Sequence, residues 1–249
     1  MLKNVWITGA SSGIGKALAI KFAKEGWQVA ASARRENLLN ELVKISPNIY
    51  SFPLNVVNLE NSKKIFKEII EKLGEINLCV FSTGIYDPKK EKEINIEQIQ
   101  NVFNVNFFGT LNCIKSVESY FKNKRNGHIS IVSSLAGYRG LPNSSGYGPS
   151  KASLNNLAES LFFDFKRYNV RISLVSPGFI KTPLTDKNKF PMPMIKSPEY
   201  AAEKMFIGLT KKNTFEIHFP KTFTIIVKLL KIMPNWLFFF LVRKGIKRF

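Results

Sequence analysis

Short apolar runs alternate with segments of helical periodicity along most of the chain. The runs are mostly continuous, which is typical of strands buried on both faces of a parallel sheet. Seven of them predict strands: NVWIT, WQVAASA, IYSFPL, INLCVFS, HISIVS, VRISLVS and TFEIHF. Helical patterns lie near residues 14–25, 36–45, 60–73, 96–122, 146–168 and 198–211. This order predicts an α/β fold, a doubly wound parallel sheet of about seven strands with helices on both faces.

After the seventh strand the pattern becomes an amphipathic helix followed by a short apolar run. On a helix, one face would carry the apolar side chains of Phe223, Ile226, Val227, Leu230 and Met233. The other face would carry the polar side chains of Lys221, Thr224, Lys228 and Lys231. Pro234 is expected to end this helix, and residues 236–242 are all apolar. Such a run is too short to span a bilayer, which needs about 20 residues. We therefore divide the chain into a main domain at 1–220 and an amphipathic extension at 221–249.

Basic residues exceed acidic ones, and the formal net charge is +19. A lysine-rich composition can produce this excess alone, so it does not indicate nucleic acid as a partner. The excess is uneven, however, because residues 187–249 hold 13 Lys or Arg and 3 Glu. Basic and apolar groups together in the extension favour peripheral contact with an anionic membrane. The alternative is that its aromatic side chains cover a substrate cleft or a subunit contact.

Cysteine and histidine usage limits the chemistry. Cys79 and Cys113 are far apart in apolar surroundings, and no CxxC pair or Cys/His cluster is present. We therefore expect neither a metal site nor a disulfide framework. The first predicted strand begins at Asn4, which leaves no room for a signal peptide, so we expect a cytoplasmic protein.

A glycine-rich turn, TGASSGIG at residues 8–15, joins the first strand to the first helix. Glycines permit a tight bend and close approach of the backbone to a pyrophosphate, and the helix N-terminus presents N–H groups and partial positive charge. In this strand–turn–helix context the pattern predicts a dinucleotide site. Its expected contacts are Gly9, Ser11, Ser12, Gly13, Ile14 and Gly15.

The second strand ends in two arginines, where dinucleotide folds meet the adenosine ribose. No acidic residue stands at the strand end to bind a 2′-hydroxyl, since Glu36 follows both Arg34 and Arg35. A guanidinium can pair bidentately with a 2′-phosphate and stack on adenine. The sequence therefore predicts NADP rather than NAD, with Arg34 as the first contact and Arg35 as the second. The alternative is a pair of exposed arginines at a helix start.

Tyr147 and Lys151 stand four residues apart in SSGYGPSKAS, which puts both side chains on one face of a helix. A free phenol has a pKa near ~10. A fixed ammonium group beside it favours the phenolate and lowers that pKa toward neutrality. Because Pro149 is tolerable only near the first helical turn, we expect the helix to begin around residues 145–147.

Taken together, these motifs resemble those of the short-chain dehydrogenase/reductase family, in its single-domain branch with chains of this length. The resemblance runs from about Asn4 to His218. TGASSGIG matches the family's glycine turn, and Asn106 in NVNFFGT matches its catalytic asparagine. Ser134 in IVSSLAG lies thirteen residues before Tyr147, the family's usual interval. The fold it implies is a Rossmann fold.

The resemblance also implies an activity, reversible hydride transfer between NADP and a carbonyl or alcohol carbon. Tyr147 would donate or accept the proton, and Ser134 would bond the same substrate oxygen, with Ser133 as the alternative on spacing. Lys151 would bind ribose hydroxyls and lower the pKa of the phenol, and Asn106 would complete a proton path through water. The further cofactor contacts that the resemblance implies are Asn55, Val56, Gly84, Tyr147, Lys151, Pro177, Gly178, Ile180 and Thr182.

Two positions depart from the family pattern. Ser82-Thr83-Gly84 stands where the family usually has Asn-Ala-Gly, and Asn55 stands where an Asp often contacts adenine. Gly84 keeps the backbone approach to the cofactor, and the Asn55 amide oxygen can still accept a bond from the adenine amino group. The departures bear on cofactor affinity and leave the reaction class unchanged.

The substrate and the assembly are indicated less directly. Residues 179–198, the family's variable lid, are rich in apolar side chains: Pro183, Leu184, Phe190, Pro191, Met192, Pro193 and Met194. They suggest a lipophilic carbonyl or alcohol, and the resemblance implies a homodimer or homotetramer. One rival function is a non-catalytic NADPH-binding sensor or scaffold at a membrane. A nucleotide-sugar epimerase is disfavoured by the glycine spacing and by the lack of a substantial C-terminal substrate domain.

Overall fold

The computed structural model describes residues 3–88 and 93–246, without the side chains of residues 245 and 246. All strands of its sheet are parallel, in the order β3-β2-β1-β4-β5-β6-β7. The strands are β1 (Asn4–Thr8), β2 (Gln28–Ala33), β3 (Ile49–Pro53), β4 (Leu78–Phe81), β5 (Gly127–Val132), β6 (Val170–Pro177) and β7 (Glu216–Phe219). The predicted α/β doubly wound sheet is confirmed. The strand order reverses between β1 and β4, which opens a crevice at their carboxyl ends.

Nine α-helices lie within the described residues: α1 (Gly13–Lys24), α2 (Glu36–Val43), α3 (Leu59–Leu73), α4 (Ile96–Phe103), α5 (Gly109–Lys124), α6 (Tyr147–Lys166), α7 (Pro198–Thr210), α8 (Lys221–Ile232) and α9 (Asn235–Ile246). The helix expected at 96–122 is interrupted by a π-helical segment, Asn104–Phe108, between α4 and α5. The periodicity of apolar residues could not show this, because one widened turn shifts the helical phase only slightly. Such segments are frequent at functional sites, and this one holds Asn106.

Two apolar layers cover the sheet. On one face, α1, α2 and α7 pack through Leu18, Phe22, Leu42 and Met205. On the other, α3, α5 and α6 pack around Trp6, which is fully buried and donates its indole N–H to Ser32 Oγ at 2.9 Å. Continuous burial of both faces explains why most of the strands read as unbroken apolar runs.

The extension begins where the sheet ends. β7 stops at Phe219, α8 starts at Lys221, and the Lys228 ammonium lies 2.5 Å from a Glu216 carboxylate oxygen in β7. α8 ends two residues before Pro234, as expected. Thr224 was expected on the polar face, but it is fully buried and donates to the Pro220 carbonyl oxygen at 3.1 Å. The division of the chain at residue 220 stays a prediction.

Candidate active site

One cleft of about 1010 Å³ lies at the carboxyl ends of the strands. Its volume lies at the upper end of the range usual for ligand pockets. The glycine turn lines one end, and the beginning of α6 lines the middle. At the other end the wall is apolar and comes from the loop after β6, from α8 and from α9: Phe179, Pro183, Leu184, Phe190, Pro191, Pro193, Phe223, Ile226, Val227, Leu230, Phe238 and Val242.

The glycine turn is shaped by contacts that no side chain would permit. Gly9 and Gly13 have positive φ values of 71° and 53°. A Cβ on Gly15 would lie 2.3 Å from the Gly9 carbonyl oxygen, so the start of α1 packs directly on the turn. Ser12 is the N-cap residue of α1, and its side chain makes no capping hydrogen bond to the helix. The backbone therefore offers the N–H groups and close approach that a pyrophosphate requires.

Arg35 is tied to this turn. Its guanidinium donates to Ser11 Oγ at 2.9 Å and to Ser12 Oγ at 2.7 Å, and both Arg34 and Arg35 line the cleft. The sequence ranked Arg34 as the first contact with a 2′-phosphate. Arg35 is the arginine whose guanidinium is held beside the glycine turn, which places a fixed positive charge at that end of the cleft.

The remaining expected cofactor contacts also lie along the cleft: Asn55, Val56, Gly84, Pro177, Gly178, Ile180 and Thr182. Asn55 Oδ1 accepts from the Val57 backbone N–H at 3.3 Å and keeps one lone pair for a ligand. The Thr182 methyl carbon lies 2.9 Å from the position of a Cβ on Gly13. The loop after β6 therefore closes against the glycine turn.

Tyr147 is the first residue of α6, and Lys151 follows one turn later. The Lys151 Nζ is 5.7 Å from the centre of the Tyr147 ring, and it donates to the Val132 carbonyl oxygen at 3.0 Å. Burial in low dielectric lowers the pKa of Lys151 to about 8. Val132 takes one of the three N–H groups, which leaves donors for ribose hydroxyls. The expected start of this helix, at residues 145–147, agrees with the structure.

The two serines that spacing alone left open have different surroundings. Ser133 is buried, and its hydroxyl donates to the Lys151 carbonyl oxygen at 2.9 Å. Ser134 is half-buried at the cleft, and its Oγ accepts from the Ala136 N–H at 3.1 Å. An accepting hydroxyl still has its own proton to donate. Ser134 is therefore the serine able to donate to a ligand in the cleft.

Asn106 is fully buried in the π-helical segment, and its side chain joins two elements. Its Oδ1 accepts from the Ile85 N–H at 2.8 Å, and its Nδ2 donates to the Ile85 carbonyl oxygen and to Ser150 Oγ, both at 3.1 Å. The Asn106 Oδ1 and the Lys151 Nζ each lie 3.5 Å from the position of a Cβ on Gly84. Asn106 thus holds the loop after β4 against α6, beside Lys151.

Tyr86 and Arg139 are among the cleft residues that sequence reasoning missed. The Tyr86 ring lies on Tyr147, with ring centres 4.8 Å apart. Arg139 donates to the Leu230, Lys231 and Met233 carbonyl oxygens at 2.8–3.1 Å and to Asn235 Oδ1, and it covers the Phe238 ring at 4.2 Å. Arg139 therefore fixes the corner between α8 and α9. The sequence gives no signal for Arg139 beyond its position five residues after Ser134.

The apolar lid is only partly as expected. Phe179 contacts both Phe190 of the lid and Phe223 of α8, with ring centres 6.0 and 5.5 Å apart. Met192 and Met194 do not line the cleft, and the Met194 sulfur instead accepts from Thr222 Oγ1 at 3.4 Å. The apolar face of α8 lines the cleft, which is the alternative that the sequence left open for the extension.

Among residues 3–88 and 93–246, no group of three or more His, Cys, Asp or Glu side chains could hold a metal ion. In the same part of the chain, no helix combines the length and the apolar character needed to cross a bilayer.

Comparison with known proteins gives this fold and site their class. Residues 3–193 match the family model described as short chain dehydrogenase. A Myxococcus xanthus protein described as an uncharacterized oxidoreductase is 31% identical over 240 residues, covering 95% of this chain and 94% of its own. The 3-oxoacyl-[acyl-carrier-protein] reductase FabG of Thermotoga maritima is 32% identical over 223 residues, covering 84% of this chain and 91% of its own.

A solved structure supports the same class. ElxO with NADP bound superposes with a TM-score of 0.77 at 26% identity, covering 88% of this chain and 98% of its own. A dinucleotide cleft on a doubly wound sheet, with relatives that are oxidoreductases, defines an NAD(P)-dependent oxidoreductase. The chain belongs to the short-chain dehydrogenase/reductase family.

Proposed function

We propose that this protein uses NADP(H) to interconvert a lipophilic carbonyl compound and its alcohol, with Tyr147 as the proton donor and acceptor. The observation that carries the proposal is the continuity of one cleft. It joins the glycine turn and Arg35 at one end, the Tyr147–Lys151 pair and Ser134 in the middle, and an apolar wall at the other end.

NADP, rather than NAD, is the cofactor. The end of β2 offers Arg34 and Arg35 and no acidic side chain, which suits a 2′-phosphate and not a free 2′-hydroxyl. The solved structure of ElxO, which contains NADP, supports the same cofactor. The residues fit the group: the glycine turn leaves room for its pyrophosphate, and Lys151 keeps donors for its ribose.

The chain's own residues manage the substrate oxygen and its proton. When bound, the reduced cofactor supplies the hydride. The Tyr147 hydroxyl donates its proton to the oxygen as negative charge develops there, and the Ser134 hydroxyl donates a hydrogen bond to the same oxygen. The Lys151 ammonium stabilises the phenolate that remains, and Asn106 holds the loop after β4 against α6 and lies on the proton path to Lys151. In the alcohol-oxidising direction the proton returns to Tyr147.

The apolar wall supports a lipophilic substrate. Phe179, Phe190 and Phe223 are in contact at the end of the cleft, and the inner face of α8 continues that surface. A substrate chain lying there would gain about 0.8 kcal/mol for each buried CH₂ group. Two further expectations stay proposals: a homodimer or homotetramer, and peripheral membrane contact through residues 221–249.

The test is NADPH oxidation with a series of straight-chain aldehydes and methyl ketones of increasing length. We expect kcat/KM to rise with chain length up to the length of the apolar wall, and NADH to be a poorer reductant. Turnover that is fastest with short or charged carbonyls would contradict the lipophilic substrate. No turnover with any member, together with tight NADPH binding, would favour the non-catalytic sensor.

A further inference from the structure

The α8–α9 pair carries a second apolar surface that does not belong to the cleft. Six large side chains, each between 55% and 78% exposed, form what we call the outer surface: Ile225, Leu229, Ile232, Trp236, Phe239 and Phe240. The sequence pattern marked residues 236–242 as an apolar run, but on α8 it indicated only the face that lines the cleft. Large exposed apolar surfaces of this kind mark sites of contact with a partner or a membrane.

Helical geometry separates the two surfaces. At about 100° per residue, Ile225, Leu229 and Ile232 fall on the side of α8 opposite the residues that line the cleft. In α9, Trp236, Phe239 and Phe240 are exposed, whereas Phe238 is 3% exposed and lies under the Arg139 guanidinium. Arg139 therefore fixes which side of α9 is turned to the protein.

The charged residues of α8 and α9 are all basic. Lys221, Lys231, Arg243 and Lys244 are exposed, and Lys228 is paired with Glu216. No acidic residue follows Glu216 in the sequence. Lys247 and Arg248 add two positive charges and lie outside the described residues.

We infer that the outer surface docks on an anionic lipid bilayer, with its apolar side chains at the acyl boundary and its basic groups on the headgroups. A second copy of the chain fits less well. Two outer surfaces placed face to face would bring four exposed cations on each side together, with no acidic residue of either extension to pair with them. An anionic bilayer satisfies both the apolar and the cationic groups.

The inference rests on the membrane contact proposed above, and it does not depend on the proposed reaction, because vesicle binding needs no turnover. If the inference holds, one face of α8 contacts the bilayer and the other face lines the cleft. A lipophilic substrate dissolved in the bilayer would then lie one helix away from the cleft.

The first test is co-sedimentation of the full chain with vesicles of phosphatidylcholine, with and without phosphatidylglycerol. We expect binding only when phosphatidylglycerol is present. Arg243→Gln with Lys244→Gln should lower the partition coefficient roughly thirty-fold, because each basic residue near the surface contributes about 1 kcal/mol and about 1.4 kcal/mol is tenfold. The charge-matched control is Lys64→Gln with Lys67→Gln, on the exposed side of α3.

The apolar part of the surface has its own matched pair. Leu229→Ser with Phe240→Ser should abolish vesicle binding, whereas Phe163→Ser, which removes an aromatic ring 73% exposed on α6, should not. Equal losses of vesicle binding in the control variants would show that binding depends on charge or apolar surface spread over the whole molecule. That result would overturn the outer surface as the docking site and would leave membrane contact itself intact. Absence of binding to any vesicle would overturn both.

A fluorescence signal locates the contact without disturbing the fold. Of the three tryptophans, Trp6 is fully buried, Trp27 is half-buried and Trp236 is 71% exposed. Emission should shift to the blue on adding phosphatidylglycerol vesicles, and Trp236→Phe should remove the shift while co-sedimentation persists. An unchanged spectrum during binding would overturn the inference. So would a lower molar mass of Leu229→Ser with Phe240→Ser than of the wild type in solution without vesicles, measured by analytical ultracentrifugation, since that outcome assigns the surface to a second copy.

Discussion

The two walls of the cleft are held by different physical means. Around Tyr147, the polar groups are buried and bonded to backbone atoms of neighbouring elements, as Lys151, Ser133 and Asn106 show. On the opposite wall, α8 and α9 bury Thr224 and Phe238, but their polar contacts with the rest of the protein are half-exposed, among them those of Arg139 and the Lys228–Glu216 pair. A wall fixed by buried bonds suits chemistry, and a wall fixed at the surface can adapt to a substrate or a bilayer. Substitutions of the groups that face the substrate on the first wall should therefore change kcat, and substitutions on the second wall should change KM.

The strongest test of the catalytic wall is Tyr147→Phe. It should lower kcat by about 10³-fold or more, since positioned acid–base catalysis contributes about 10²–10⁴. The dissociation constant for NADPH should stay within a factor of a few. Tyr138→Phe is the control, because that hydroxyl bonds to Glu216 beside α8. Near-normal turnover of Tyr147→Phe would remove Tyr147 from the mechanism.

The serine pair separates chemistry from structure on the same wall. Ser134→Ala should lower kcat about 10²-fold or more, as loss of one donor to a developing oxyanion does. Ser133→Ala should leave kcat nearly unchanged and lower the free energy of unfolding by about 1 kcal/mol, because the buried bond from the Ser133 hydroxyl to the Lys151 carbonyl oxygen is lost. Steady-state kinetics and urea denaturation measure the two effects. The reverse pattern would assign the catalytic hydroxyl to Ser133.

For the other wall, Arg139→Gln is the corresponding change. It removes the guanidinium that bonds three carbonyl oxygens at the corner of α8 and α9. We expect KM for a lipophilic carbonyl to rise about tenfold, equivalent to about 1.4 kcal/mol. kcat and NADPH affinity should stay within about twofold, because the corner does not touch the catalytic groups. A lower kcat with unchanged KM would mean that the two walls are not independent.

Lys151→Met should change the free energy of unfolding in the direction opposite to Ser133→Ala. Desolvation lowers the pKa of Lys151 from 10.5 to about 8, which costs the fold about 3 kcal/mol below pH 8. Removing the charge also loses a bond to Val132, worth about 1 kcal/mol. The inactive variant should therefore be more stable at pH 7, by about 2 kcal/mol.

The pH dependence checks the sign of this effect. Between pH 8 and 10.5 the unfolded chain binds the Lys151 proton and the folded chain does not, so the wild type should gain stability as pH rises through this window. The variant lacks the lysine and should show no such gain. Chemical denaturation at several pH values measures the difference. A variant less stable than the wild type at pH 7 would contradict a costly buried ammonium.

Local patterns made the fold and much of the candidate site predictable. The glycine turn lies within eight consecutive residues, and Tyr147 and Lys151 lie one turn apart, so each constellation is present in a short stretch of sequence. Apolar runs, most of them unbroken, indicated the seven strands because the sheet is covered on both faces.

What the sequence missed depends on contacts between distant elements. Arg139 reaches residues more than ninety positions further along the chain, and nothing near it signals this. The choice between Ser133 and Ser134 depends on which hydroxyl meets the Lys151 carbonyl oxygen. The α8 part of the outer surface, formed by Ile225, Leu229 and Ile232, was missed because both sides of α8 are apolar, and only the packed structure shows which side lines the cleft.

The central claim is that one cleft joins an NADP site to the Tyr147–Lys151 pair, and the melting temperature with NADPH and with NADH tests it most directly. At 100 times its dissociation constant a ligand adds about 2.7 kcal/mol, or about 5–10 °C for a chain of this size. We predict a larger shift with NADPH than with NADH, reduced to the NADH value by Arg34→Ala with Arg35→Ala. No shift with either nucleotide, or equal shifts that the double variant leaves unchanged, would contradict the claim.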